Sequence, residues 1–186
     1  DKYSDRIDYQ NPEFNYGVGF NLELNKNLSV EGTLNPDFSQ VESDATRIDI
    51  NSPTAINYPE KRPFFNRGID AMDYQIDVFY SRSINDPSFA SKIINQGRKS
   101  RLYVLSAFDE QTPYLVPTQY ESFSGVVGKS FSNVIRYQNF INSKTQIGLL
   151  ASNRYYEGDA YGNLYGFDAL FNLSLIHISE PTRRVR

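Results

Sequence analysis

The sequence has no cysteine and no tryptophan, and only one histidine and one methionine among its 186 residues. Without cysteine there can be no disulfide, no thiolate-ligated metal and no cysteine nucleophile. The absence fits a reducing cytoplasm and many outer-membrane proteins equally, so it does not fix the compartment. The lone histidine, His177, sits in a C-terminal stretch unlike the rest of the chain. Setting it aside leaves no Ser-His-Asp arrangement and no histidine-bearing zinc site. No apolar run approaches the roughly 18 residues of a membrane-spanning helix. Spanning strands remain open, because their alternation keeps average hydropathy low. The missing tryptophan counts mildly against an aromatic girdle. The net charge is −3 with no basic stripe, which argues against nucleic acid as a partner. The segment Asp1–Gln10 has neither a basic n-region nor an apolar h-region, so either the protein is not exported or the chain lacks its true start.

Phenylalanine and tyrosine, by contrast, are plentiful: 13 and 14 residues, all of the 15% aromatic content. Both favour strands and membrane interfaces. From Tyr16 to Leu24 the apolar residues Tyr16, Val18, Phe20, Leu22 and Leu24 alternate with Gly17, Gly19, Asn21 and Glu23. After the turn signal Asn25-Lys26-Asn27, Leu28, Val30, Gly32 and Leu34 alternate with Ser29, Glu31 and Thr33. This pattern predicts a hairpin with one apolar and one polar face. Further strands are expected at Tyr74–Ser81, Arg101–Phe108, Phe131–Ile141, Gln146–Arg154 and Tyr165–Leu173. Breaks fall at Asn85-Asp86-Pro87 and Gly97-Arg98-Lys99, and Asp109–Ser130 and Tyr155–Gly162 read as loops. About seven strands result, most suited to a tilted membrane strand of ~9–11 residues. A β-barrel with a polar lumen and a soluble β-sandwich both produce such alternation.

The stretch 35–72 interrupts the strands. It opens on Asn35-Pro36-Asp37 and is pinned by Pro53, Pro59 and Pro63. It is too polar for a core strand and too irregular for one amphipathic helix. Long insertions of this kind are usually functional or disordered. Mixed charges and the aromatics Phe38, Tyr58, Phe64 and Phe65 argue against disorder.

Two blocks in this insert, NPDFSQVESDATRIDIN and PEKRPFFNRGID, resemble the signature of a family of outer-membrane proteins from Bacteroidetes-type bacteria. The family pattern reads roughly NPDFSQVEAD, an apolar spacer, then FPEKRPFFLEG. Here Ser43 stands at an alanine position, Asn57-Tyr58 at a pair of phenylalanines, and Asn66-Arg67 at Leu-Glu. The resemblance continues through FYSRSI, LSAFDEQTPYLVP, KSFSNVIRYQ and QIGLLASNRYYEGDAYGNLYGFDALF, and so covers most of residues 15–173. It implies a β-barrel domain of unknown function in the cell outer membrane, preceded in the full-length protein by a domain like the family-9 carbohydrate-binding modules. Outer-membrane lipid is then a partner, and a glycan-derived or other small extracellular ligand is expected.

The chemistry-bearing residues give no catalytic constellation, and no cofactor is expected. Asp37, Glu42, Asp44 and Asp49 match no known cation loop. The simpler reading pairs these acids with Arg47, Lys61, Arg62 and Arg67. A glycosidase pair has almost no sequence signal behind it, so enzymatic activity is left uncertain and a carbohydrate-active hydrolase ranks third. The tyrosines Tyr114, Tyr120, Tyr155, Tyr156, Tyr161 and Tyr165 suit an interfacial belt better than a sugar-stacking mouth.

The sequence therefore predicts an all-β, antiparallel fold, part of a truncated transmembrane β-barrel spanning 16–173. Residues 1–15 are a lead-in and 35–72 the insert. Asp37, Glu42, Asp44, Glu60, Lys61, Arg62, Phe64 and Phe65 form the candidate plug or lumenal motif. Phe64 and Phe65 are expected to pack together, with Lys61 and Arg62 meeting Glu23, Glu31 or Asp77. Asp168→Asn is expected to cost little. The runner-up is a soluble, secreted or periplasmic β-sandwich binding module. Residues 174–186, SLIHISEPTRRVR, break the alternation and resemble translated sequencing-adapter read-through. Resequencing the locus is expected to replace them with a continuing strand and turn; recovery of the same tail from independently cloned DNA would refute this.

Overall fold

The computed structural model describes residues 16–38, 59–72, 79–117 and 122–172, without the side chains of 113–124. Among these residues nine strands form: β1 (Val18–Asn25), β2 (Leu28–Leu34), β3 (Pro87–Gln96), β4 (Ser100–Asp109), β5 (Thr112–Pro117), β6 (Ser122–Val127), β7 (Ser130–Asn142), β8 (Thr145–Tyr156) and β9 (Tyr161–Phe171). One helical turn, α1 (Pro63–Asn66), and the 3₁₀ turns Ile69–Met72 and Ser81–Ser83 lie in the connection between β2 and β3. Seven strands build one antiparallel sheet in the order β1-β2-β3-β4-β7-β8-β9, and β5-β6 form a separate two-stranded ribbon. The fold is all-β. The seven-stranded sheet is open, with β1 and β9 as its edges.

The tight turns follow from asparagine. Asn25 Oδ1 accepts hydrogen bonds from the backbone N–H of Asn27 (2.9 Å) and Leu28 (3.0 Å), and Asn142 Oδ1 accepts one from Lys144 N–H (2.8 Å). Each side chain thus takes the place of a backbone acceptor and reverses the chain in about two residues. The turns at 26–27, 97–99 and 143–144 all lie at one end of the sheet. The long connections, 35–86 and 110–129, lie at the other.

Several expectations need correction. Residues 73–78 lie outside the described residues, but Phe79 and Tyr80 are not in a strand and Ser81–Ser83 is a 3₁₀ turn. The third strand of the sheet is Pro87–Gln96 instead. Proline at a strand's first residue costs no ladder bond, so Pro87 opens β3 instead of breaking the chain. Residues 109–130 are not merely loop: β5 and β6 pair there from Thr112↔Val127 to Pro117↔Ser122. Their two prolines are tolerated because each strand of an isolated ribbon has a free edge. The strand expected from Tyr165 begins at Tyr161.

Register divides the sheet into two unlike faces. One carries Val18, Phe20, Leu22, Val30, Ile93, Val104, Ile135, Leu149 and Phe167, with the cross-strand row Leu34-Phe89-Phe108-Phe131-Tyr155-Tyr161 near one end. This face is open: Phe20 is 51% exposed, Leu149 55% and Phe167 66%. The opposite face carries Glu31, Lys92, Arg136, Gln138 and Ser132 among Ala90, Ile94, Tyr103, Leu105, Val134 and Leu150, and it is buried. Phe65, Ala71 and Ile84 of the β2–β3 connection complete that core, with Phe38, Phe64, Met72 and Phe79 packed against it.

Within the covered face, Arg136 on β7 reaches past β8 to Asp168 on β9, with Nη1–Oδ1 at 2.5 Å and Nη2–Oδ2 at 3.0 Å. Gly148 on β8 makes this passage available. A Cβ there would stand 2.3 Å from Asp168 Oδ1 and 2.5 Å from Arg136 Nη1. Asp168 is thus half of a bidentate pair with a fully buried arginine, which overturns the expectation of a small Asp168→Asn effect. Removing one partner of a buried pair costs roughly 3–5 kcal/mol, because the other charge stays desolvated. Asp168→Asn is expected to destabilise the protein by about that amount, read as a lowered urea midpoint; a shift near zero would mean that the pair is open to solvent.

Candidate functional site

The covered face and the segments folded on it form the site. Pro63 stands at the start of α1, where its fixed φ and missing N–H are harmless. Pro59 and Pro63 restrict the four-residue run that carries Glu60, Lys61 and Arg62. Arg62 is buried to 1% and is the centre of the contacts. Its Nε donates to Glu60 Oε1 (3.0 Å) and its Nη2 to Glu60 Oε2 (2.9 Å). Nη1 donates to the Ile84 carbonyl (2.6 Å), and Nη2 also to the Ser81 carbonyl (3.0 Å). The guanidinium lies 4.2 Å from the Phe65 ring centroid and 5.2 Å from that of Phe38. Glu60 accepts in addition from the Arg62 N–H (2.8 Å) and from Ser81 Oγ (2.6 Å). One residue pair thereby ties 59–66 to 81–84, two segments far apart in the chain.

Lys92 on β3 anchors the same segments to the sheet. Its Nζ donates to the Phe64 carbonyl and to the Arg67 carbonyl (2.7 Å), and pairs with Glu31 at 3.1 Å. These carbonyls sit at and just beyond the C-terminal end of α1, a favourable place for a cation. Phe64 lies under the ammonium at 4.8 Å, and the Phe64 and Phe65 rings meet edge-to-face at 5.1 Å. Arg67 completes the group, with Nη1 3.1 Å from Glu31 and Nη2 4.0 Å from Glu23. Gly68 follows with φ +74°, and a side chain there would run into Ile94.

A cavity of about 320 Å³ lies beyond this cluster, bordered by Phe79, Tyr80, Ser83, Ser152, Arg154 and Tyr156 among others. Arg154 on β8 donates from Nε to Ser132 Oγ (2.6 Å), from Nη1 to the Ser83 carbonyl (3.2 Å) and from Nη2 to Ser83 Oγ (3.0 Å). All three acceptors are uncharged.

The candidate motif is thus partly assembled. Glu60, Arg62, Phe64 and Phe65 come together, while Lys61 is exposed and Asp37 lies in the exposed turn after β2. Glu42, Asp44 and Asp49, like Asp77, lie outside the described residues. Among the described residues the acid that meets Arg62 is Glu60, two residues away, and not Glu23 or Glu31, because the curled chain brings their side chains together. Glu31 serves Lys92 and Arg67 instead. Among the described residues no group of three or more His, Asp or Glu side chains could hold a metal ion. Sequence reasoning missed Lys92, yet a signal existed. A lysine between Ala90 and Ile94 on a buried face needs an acid, and register sets Glu31 directly opposite. Of the supposed loop tyrosines, Tyr155, Tyr161 and Tyr165 stand on the open apolar face, and Tyr156 borders the cavity.

A family model matches residues 2–103, more than half of the chain and the whole of the β2–β3 connection. The chain belongs to the family described as Domain of unknown function (DUF5916). The Glu60–Arg62 clamp, α1, Glu31 and Lys92 all fall within the matched residues, whereas Arg136, Arg154 and Asp168 lie beyond them. No curated protein and no solved structure matches the chain.

Burial pushes the Glu60 carboxyl up, but hydrogen bonds from Arg62 and Ser81, with the Arg62 charge, outweigh it and hold the group below its ordinary value of 4.5. A depressed folded-state value means stability that is present in full above the unfolded value and is lost as pH falls through the folded one. The DUF5916 chain is therefore expected to lose stability below about pH 4.5, with Glu60→Gln removing part of that acid dependence. Arg62→Met, which leaves Glu60 buried and unpaired, is expected to cost roughly 3–5 kcal/mol. Urea midpoints measured between pH 3 and 7 test both, and a Glu60→Gln profile parallel to wild type would assign the acid sensitivity elsewhere.

Proposed function

We propose that this DUF5916 chain forms part of an outer-membrane β-barrel wall, with the β2–β3 connection folded inward as a plug over the lumenal face. The barrel binds or passes a small extracellular ligand such as a glycan fragment. One observation carries the reading: the sheet is inverted relative to a water-soluble one. Its apolar face is open, and its covered face holds Lys92, Glu31 and Arg136 beneath a connection that buries Arg62. In water each large apolar side chain left exposed forgoes about 1.5–3 kcal/mol of burial, and contiguous apolar surface of this extent marks an interaction site. Lipid removes that cost over the whole face at once. Strand lengths of 10–13 residues in β3, β4, β7, β8 and β9 suit a tilted crossing. Three short turns at one end, and two long connections with the β8–β9 turn at the other, match barrels with short periplasmic turns and longer outer loops. The long end, with the β5–β6 ribbon, is therefore assigned to the cell exterior.

The sandwich alternative needs a second sheet over the apolar face. Among the described residues the only other sheet is the β5–β6 ribbon. Hydrolysis is disfavoured because the buried acids are already engaged: Glu31 by Lys92 and Arg67, Glu60 by Arg62, Asp168 by Arg136, and Asp109 by the N–H groups of Asn85 and Asp86.

The full-length protein is expected to fractionate with outer membranes and to migrate heat-modifiably on gels. Phe167→Arg should cost ~2–4 kcal/mol if position 167 lies near the bilayer midplane. In whole cells a cysteine at Glu157 should react with a membrane-impermeant maleimide while one at Lys144 stays unlabelled. Recovery in the soluble periplasm without detergent would sink the barrel; the reverse labelling pattern would only invert it.

A further inference from the structure

Among the described residues three cations are buried on or against the covered face, and each has a counter-charge. Lys92 has Glu31, Arg62 has Glu60, and Arg136 has Asp168. Arg154 makes no ion pair among the described residues. A guanidinium has five N–H donors, and the hydrogen bonds of Arg154 are three, all to the neutral acceptors Ser132 Oγ, Ser83 O and Ser83 Oγ. Asp109 is near enough to feel the charge. Its two oxygens, however, accept from the N–H groups of Asn85 (3.0 Å) and Asp86 (2.6 Å). The arginine is thus held in place by the plug, through Ser83, and by the wall, through Ser132, and it borders the 320 Å³ cavity.

The cavity supplies the rest of a recognition surface. Ser83 and Ser152 offer hydroxyls, and Phe79, Tyr80 and Tyr156 offer aromatic surface. A fixed fork of donors matches a carboxylate. Hydroxyls match a polyol, and aromatic faces match the C–H face of a pyranose ring. We infer that this cavity is a binding site for a carboxylate-bearing sugar of the uronate class. Arg154 would take the carboxylate, and the ring would lie against Tyr80 or Tyr156. The inference rests on the lumenal reading of the covered face and specifies the ligand class for it. It also gives the plug a second role, since Ser83 and Tyr80 belong to the connection and the cavity exists only while that connection is docked.

The test uses the full-length protein in detergent, titrated calorimetrically with glucuronate, glucose and acetate. Glucuronate should bind at least tenfold more tightly than either of the others. Arg154→Gln should weaken glucuronate at least tenfold and bring it level with glucose. Ser152→Phe fills the cavity from the wall without touching the Arg154 hydrogen bonds and should abolish binding; it serves as the readout if Arg154→Gln does not fold. Equal affinity for glucose and glucuronate would overturn the role of Arg154, and equal affinity for acetate and glucuronate would overturn the sugar. Membrane fractionation is scored separately on the same preparation. Membrane-embedded protein that ignores glucuronate refutes the site alone, whereas soluble protein that binds it refutes the barrel alone.

Discussion

The Arg62 guanidinium is the contact on which the rest of the covered face depends. It is a full charge removed from water, so it must be surrounded by acceptors or left at a cost that marginal stability cannot meet. Glu60 supplies the charge, Ser81 and Ile84 supply carbonyls, and Phe38 and Phe65 supply two ring faces. Those partners come from the residues after β2, the residues before α1 and the residues before β3. Satisfying one side chain therefore fixes three pieces of the connection relative to one another. Lys92 then fixes them relative to the sheet by holding the carbonyls of Phe64 and Arg67. The two cations act in series, one gathering the plug and the other docking it.

This arrangement also explains why the two faces differ. A connection rich in charge and proline can be covered only by a surface that returns hydrogen bonds and counter-charge. The wall does so at Glu31, Lys92 and Arg154. The other face offers side chains such as Phe20, Leu149 and Phe167, which have nothing to return. Only a hydrocarbon environment, or another apolar surface, gains from meeting it.

Much of the sheet was legible from period-two alternation and asparagine turns. β1-β2 satisfies both signals, since its apolar residues alternate with polar ones or glycine and its turn carries its own acceptor; β7-β8 alternates less cleanly, at Val134-Ile135 and Leu149-Leu150, but its turn carries Asn142. β3 was hidden because Lys92 interrupts the buried face and Pro87 imitates a break. β5 and β6 were hidden because proline usually argues against a strand, an argument that fails where a strand has a free edge. In the site, Arg62, Phe64 and Phe65 stood out by composition, but their partners did not. Ser81 and Ile84 contribute backbone carbonyls, which leave no trace in residue type. Arg136 and Asp168 are two strands apart and meet only because Gly148 between them has no side chain. Sequence spacing cannot show a contact made through the absence of a Cβ.

The contrast between Arg62 and Arg154 separates structural from functional charge on this face. Both guanidinium groups donate to carbonyls of the same connection, Ile84 and Ser81 for the first and Ser83 for the second. Arg62 is closed over by two aromatic rings and saturated by its own carboxylate, so nothing further can reach it. Arg154 has comparable anchoring but no ion pair among the described residues, the nearby Asp109 being turned to the N–H groups of Asn85 and Asp86, and it borders the cavity. A protein that needed only to hold its plug in place would place an acid beside each buried cation, as this one does at Arg62, Lys92 and Arg136. Leaving the half-buried Arg154 without an ion pair among the described residues forgoes stability that an Asp or Glu at position 152, on the same face, could supply. The omission is intelligible if the missing negative charge arrives with a ligand.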